Sequence, residues 1–290
     1  MRGIAVNMNH LILLAESGSD ITPELAEANG IVIVPMHVSF GGETRDDGSF
    51  PVPEMFEFYK KHRELPRTSV CTPHDFEVVF ERLDREYPGV PILYLAYSSS
   101  TTCSMQSALI AAQGRENFLA LDTKCVAAGQ AAVVLTIARL LREHPETTLE
   151  QAADAAKELI ARARMGFIPG DLDYLRAGGR VSNAAYLGAK ILGIHPLIEI
   201  VDGKLISTRK YRGMMKRVVM QLTREFPAAQ NLEKDALWLI YGAGLGEEVM
   251  RGVEELLHEQ GYQNLTWVQT GCVIAAHSGP GSFGIVGFSK

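Results

Sequence analysis

Cysteine is scarce in this chain, and what there is lies scattered. Cys71, Cys103, Cys125 and Cys272 make up the full set, and no two of them form a CxxC pair. That spacing suggests neither a zinc site nor a disulfide framework, and it fits reduced thiols in a cytoplasm. Long apolar runs are also lacking. Met1–His10 has no apolar core and Leu11–Ala15 is short, so neither a signal peptide nor a membrane span is expected. Positive charge is in deficit, with 28 Lys and Arg against 34 Asp and Glu and a net charge of -6. No basic run is interleaved with aromatics, which argues against a nucleic-acid partner. Internal repeats, low-complexity tracts and an obvious flexible linker are missing. No Ser-His-Asp order, metal-binding His pair or nucleophile elbow can be assembled, so no metal and no cofactor is expected.

What remains is a chain of 290 residues, 47% of them hydrophobic. That length suits two domains. Leu11–Ala15, Ile31–Pro35, Ile92–Tyr97 and Phe118–Leu121 read as buried strands. Between them Phe76, Val79, Phe80, Leu83 and Tyr87 repeat at helical spacing, as do Leu149, Ala152, Ala153, Ala156, Leu159 and Ile160. Thr72-Pro73-His74-Asp75 has the composition of a helix start. This alternation predicts an α/β fold with a parallel sheet covered on both faces, where ligands bind beyond the carboxyl ends of strands. The second half differs. Ile198–Ile206 reads as a hairpin around Asp202-Gly203. Ala236–Tyr241 and Leu265–Val268 read as strands, and Val249, Val253, Leu256 and Leu257 as a helix. An α+β domain with a mixed sheet is expected, with the division at 1–165 and 166–290.

Several segments are candidates for chemistry. Tyr97-Ser98-Ser99-Ser100-Thr101-Thr102 is a hydroxyl-rich turn between a strand and a helix. Such a turn either caps the helix or aims hydroxyls and backbone N–H groups at a small anion. His277-Ser278-Gly279-Pro280-Gly281-Ser282-Phe283-Gly284 contains a literal GxGxxG. The dinucleotide fingerprint needs a following helix and a later acid, and the chain reaches only Lys290. The glycines instead permit a tight turn or a close backbone approach. His277 is either a structural histidine or a donor to an anion. Gly242–Glu247 reads as a connection between a strand and a helix. Leu175–Arg180 reads as a turn, in which Arg180 is either a surface charge or a guanidinium aimed at carboxylate or phosphate. Pro66-Arg67-Thr68-Ser69 reads as a hydroxyl-bearing loop, and Glu16–Asp20 as another hydroxyl-rich turn. Lys210, Arg212, Lys216 and Arg217 form a small basic cluster.

Taken in order, these segments resemble the DegV family. The resemblance is carried by Glu16–Asp20, Gly30–Pro35, Pro66–Ser69, Ser98-Ser99 with Gln106-Ser107-Ala108, and Asp122-Thr123. It continues through Leu172–Leu175, Gly178-Gly179-Arg180, His195-Pro196, Asp202-Gly203-Lys204, Lys210–Gly213 and His277–Gly281. It implies two α/β domains, the first a three-layer domain around a parallel sheet. A long-chain fatty acid such as palmitate, stearate or oleate would lie in a buried tunnel between them. It further implies a binding component rather than an enzyme. That component presents the carboxylate to a separate ATP-dependent fatty acid kinase, which makes an acyl phosphate for phospholipid synthesis. Carried over by residue, Thr68, one of Ser98 or Ser99, and His277 would meet the carboxylate beside Gly279 and Gly281. Arg180 would serve phosphotransfer or kinase engagement. The family usually has Asp-Ser-Thr where this chain has Glu16-Ser17-Gly18. A competing reading is a small-molecule kinase subunit, like that of dihydroxyacetone kinase, or a hydrolase acting on a small polar substrate.

Overall fold

The computed structural model describes residues 10–179 and 193–290. Its first sheet has the order β2-β1-β6-β7, built from β1 (Ile12–Glu16), β2 (Ile31–Val34), β6 (Ile92–Ala96) and β7 (Phe118–Asp122). All three pairings are parallel, as expected for strands separated by helical crossovers. Three of these strands match buried apolar runs. β7 corrects the expectation: every residue from Phe118 to Asp122 is only half-buried; it is an edge strand, and unlike the other edge strand, β2, it is incompletely covered.

A small antiparallel sheet stands beside it, in the order β4-β3-β5, from β3 (His37–Phe40), β4 (Glu43–Asp46) and β5 (Arg67–Ser69). Arg67–Ser69 is therefore a strand and not a loop, with Thr68 opposite Val38. Pairing across the sheet, invisible in so short a polar segment, makes the difference. The helix Pro73–Glu86 begins as its sequence predicts. Thr72 Oγ1 accepts from Asp75 N and Thr72 N donates to Asp75 Oδ2, a capping box.

The third sheet is mixed and six-stranded, in the order β10-β9-β8-β13-β11-β12. Its strands are β8 (Ala163–Ile168), β9 (Ile194–Val201), β10 (Lys204–Arg212), β11 (Leu237–Tyr241), β12 (Leu265–Gln269) and β13 (Phe283–Phe288). Only β11 and β12 run parallel. The β9–β10 hairpin turns at Asp202 and Gly203, both with positive φ (52° and 79°), the geometry that favours Asp-Gly. β8 begins at Ala163, directly after the helix Leu149–Arg162, so a division at 165/166 falls inside this strand. Leu175–Ala177 closes a short helix, Leu172–Ala177, rather than forming a turn. Asp171 caps that helix at Asp173 N.

The helix Ala128–Glu143 joins the two larger sheets. Its first half, Ala128-Gly129-Gln130-Ala131-Ala132-Val133-Val134, is wholly buried, and the helix packs on β6 as well as on β8, β11 and β13. Small side chains allow this close approach from both sides. One core cluster consequently runs from Leu13 and Tyr94 to Met165, Trp238 and Val286. Among the described residues no helix is long and apolar enough to cross a membrane.

Candidate functional site

Thr68 and His277 meet across the fold. Thr68 stands on β5, and His277 on the last turn of the helix Cys272–Ser278. Thr68 Oγ1 and His277 Nε2 share a hydrogen bond of 2.9 Å. The helix is held at its other end. Asp20 Oδ1 accepts from Gly271 N at 2.8 Å and Asp47 Oδ1 from Val273 N at 3.2 Å. Burial raises both carboxyl pKa values. On the imidazole's flank lies Gly178, where a Cβ would stand 2.0 Å from His277 Nδ1.

One face of this helix borders a cavity with an empty volume of about 900 Å³, mouth included. Val273, Ile274, His277 and Ser278 line it, spaced as residues on a single helical face, together with Thr270 just before the helix. Opposite them are Met36 and Tyr97 from the parallel-sheet side and Met165, Phe167 and Ile240 from the mixed sheet. The described lining contains no Asp, Glu, Lys or Arg. An apolar chain meets no unpaired charge there, and Thr68 with His277 is a polar point on an otherwise largely apolar wall.

The other expected residues are distributed less simply. The hydroxyl turn contributes Thr101 and Thr102 to the cavity lining, not Ser98 or Ser99. Ser98 is fully buried, and its hydroxyl donates to Gly203 O at 2.7 Å across to the β9–β10 turn. Ser99 is exposed, its hydroxyl donating to Asp122 Oδ2 and its N–H to Asp122 Oδ1. The helix after this turn starts at Ser104 without a side-chain cap from Cys103.

Gly279 and Gly281 have φ of +72° and +73°, which favours glycine. A Cβ on Gly279 would also lie 2.9 Å from Asp171 N. Gly281 N donates to Ala243 O, and Gly242 N to Ser282 O, each at 2.9 Å. Gly242–Glu247 is thus a connection, as read, and it packs against the Gly-Pro-Gly loop. That loop leads into β13, not a helix, so the dinucleotide reading is excluded on structural grounds too. Arg180 lies outside the described residues. Among the described residues no group of three or more His, Cys, Asp or Glu could hold a metal ion.

Glu16 was legible only as part of a turn. It is fully buried beneath the cavity-lining Tyr97. Tyr94 Oη donates to its Oε1, Gln130 Nε2 to its Oε2 at 2.6 Å, and Tyr97 N to both oxygens at 3.2 and 3.1 Å. Burial nonetheless pushes its pKa up to about 7, desolvation outweighing four donated hydrogen bonds. Ser17 Oγ accepts from Met36 N at 3.0 Å. The first turn therefore positions two lining residues, Tyr97 and Met36.

A family model described as "Uncharacterised protein, DegV family" matches residues 11–290. The chain belongs to the DegV family. Three solved structures share its fold. A fatty-acid-binding DegV family protein of Thermus thermophilus is 24% identical with a TM-score of 0.85, covering 97% of this chain and 100% of its own. A stearic-acid-binding protein of Eubacterium ventriosum is 26% identical with a TM-score of 0.81, covering 96% and 98%. The fatty acid kinase B3 protein of Streptococcus pneumoniae, loaded with linoleic acid, is 16% identical with a TM-score of 0.83, covering 97% and 100%. The α/β architecture, a parallel sheet beside a mixed one, is that of these DegV structures.

Proposed function

We propose that this DegV protein binds a long-chain fatty acid in the cavity, with the carboxylate at Thr68 and His277. The observation that carries this reading is a largely apolar cavity, with no Asp, Glu, Lys or Arg among its described lining residues and a hydroxyl–imidazole pair on its wall. Fatty acid binding by the Eubacterium ventriosum relative supports it. Ser98 and Ser99 act through the turn that presents Thr101 and Thr102, and Gly279 and Gly281 shape the backbone behind His277.

The magnitudes are adequate. Roughly 14 methylenes of a palmitoyl tail at about 0.8 kcal/mol each amount to about 11 kcal/mol before association costs. Ordering and lost translation remove several kcal/mol, and submicromolar affinity remains within reach. The head group then serves mainly to orient the ligand and to satisfy a carboxylate that is costly to desolvate.

In this reading the protein is a binding subunit and not the enzyme. It presents the carboxylate to a separate ATP-dependent kinase in the cytoplasm, with Arg180 at the transfer step. The kinase assignment is supported by the sequence resemblance and by the fold shared with the fatty acid kinase B3 protein. A small polar substrate, as for a dihydroxyacetone-kinase-like subunit, fits less well, since no Asp, Glu, Lys or Arg among the described residues lines the cavity. Organic extraction and mass spectrometry of the protein purified from bacteria test the reading. About one long-chain fatty acid per chain is expected. Lipid-free protein that also fails to bind added palmitate or oleate would end it.

A further inference from the structure

Met165 separates two spaces. It lines the cavity described above, and it also lines a second recess, with an empty volume of about 1410 Å³, mouth included. Leu121, Cys125, Ile160, Ile200 and Val286 are among its apolar lining residues. Asp122, Lys124, Lys157, Arg164, Glu199 and Asp202 also line it.

Three features make Met165 a displaceable partition. Its side chain is unbranched, with three rotatable bonds, so it can leave its position without moving the backbone. The residue facing its sulfur is Gly129, where even a Cβ would stand 3.0 Å from Sδ. Glycine there presents no side chain of its own to the thioether. Both spaces have apolar lining residues, so an acyl chain passing between them keeps apolar contacts.

We propose that fatty acids too long for the main cavity displace Met165 and run their methyl ends into the second recess. The ligand class is the very-long-chain fatty acids, with the recess as their tail subsite. The proposal rests on the fatty-acid reading above.

The test is a competition. Protein is equilibrated with equal amounts of palmitate and erucate, a monounsaturated acid six carbons longer, and the bound acids are extracted and weighed by mass spectrometry. Met165→Ala removes the partition and is expected to raise the bound erucate-to-palmitate ratio about fivefold or more, the equivalent of burying one or two further methylenes. Ile160→Asp puts a charge in the recess and is expected to lower that ratio by a similar factor. Ile160 is half-buried on the helix Leu149–Arg162, so this variant decides the question even where Met165→Ala fails to fold. A ratio that stays at the wild-type value in either folded variant overturns the proposal while palmitate binding stands. Wild-type protein that retains neither acid removes the fatty-acid reading and the proposal together.

Discussion

Gly178 lies against the Nδ1 edge of His277 so closely that a methyl group there would sit 2.0 Å from Nδ1 and 2.6 Å from Cε1. The glycine is not required by its backbone, whose φ is -72°. It is required by the imidazole. Gly178→Ala must push His277 away from Thr68 or shift the end of the helix Cys272–Ser278. Overpacking of this kind costs about 1–3 kcal/mol. Thermal unfolding should show that loss, and palmitate titration should show weaker binding. A variant with wild-type stability and affinity would mean that the ring moves freely.

Thr68→Ala and His277→Ala should each weaken fatty acid binding by about 1–3 kcal/mol, the cost of leaving a carboxylate short of a donor. The fold should persist, as circular dichroism can verify, and Thr68→Ser should restore most of the affinity. Unchanged palmitate affinity in both alanine variants would place the head group elsewhere in the cavity.

Glu16 gives a pH signature. Its folded pKa of about 7 lies above its ordinary 4.5, so the folded state holds the proton more tightly than the unfolded chain. The associated stability is fully present below pH 4.5 and is lost as pH rises through 7, roughly 3 kcal/mol in all. Denaturant unfolding of wild type and Glu16→Gln between pH 5 and 8 isolates this contribution from those of Asp20 and Asp47. The wild type should lose more stability over that window than the variant. Parallel curves for the two proteins would refute the assignment.

Gly18 bears on ligand length. A Cβ there would lie 2.9 Å from Met36 Sδ and 3.2 Å from Tyr97 Cε2, and both residues line the cavity. The end of the Met36 side chain is flexible, so Gly18→Ala should fold with little loss of stability while driving that side chain inward. Gly18 and its neighbours sit at the Gly271 end of the helix Cys272–Ser278, where Asp20 binds Gly271 N, and His277 is at the opposite end. Affinity should fall more for stearate than for laurate. An equal loss for both acids would show that Gly18 does not shape the tail region.

Arg180 follows a Gly-Gly pair in the sequence, and the proposed function gives it a part in phosphotransfer or kinase engagement rather than binding. Negative charge builds at the carboxylate as it becomes an acyl phosphate, and a guanidinium stabilises such charge. Arg180→Ala should retain its fatty acid yet fail to yield acyl phosphate with ATP and the cognate kinase. A wild-type rate would leave Arg180 a surface charge, and loss of lipid would assign it to the binding shell.

Much of the local structure is written in neighbouring residues. Thr72 and Asp75 are three apart and cap their helix, and Asp202-Gly203 is a turn whichever strands flank it. The apolar runs of β1, β2 and β6 predict buried parallel strands, since only such strands are apolar on both faces. Thr68 and His277 were singled out from their own segments and from the family resemblance. Their meeting belongs to tertiary structure, because 209 residues separate them and sheet packing alone brings β5 to the helix Cys272–Ser278. The same holds for Ser98, whose hydroxyl is taken by a carbonyl 105 residues away, and for Gly178 against His277. Met36 and Met165 carry no sequence signal, and nothing in the segment of Tyr97 marks that residue as a cavity wall. An apolar residue that fills a core and one that walls a cavity have the same composition, and only the packing around them decides which they are.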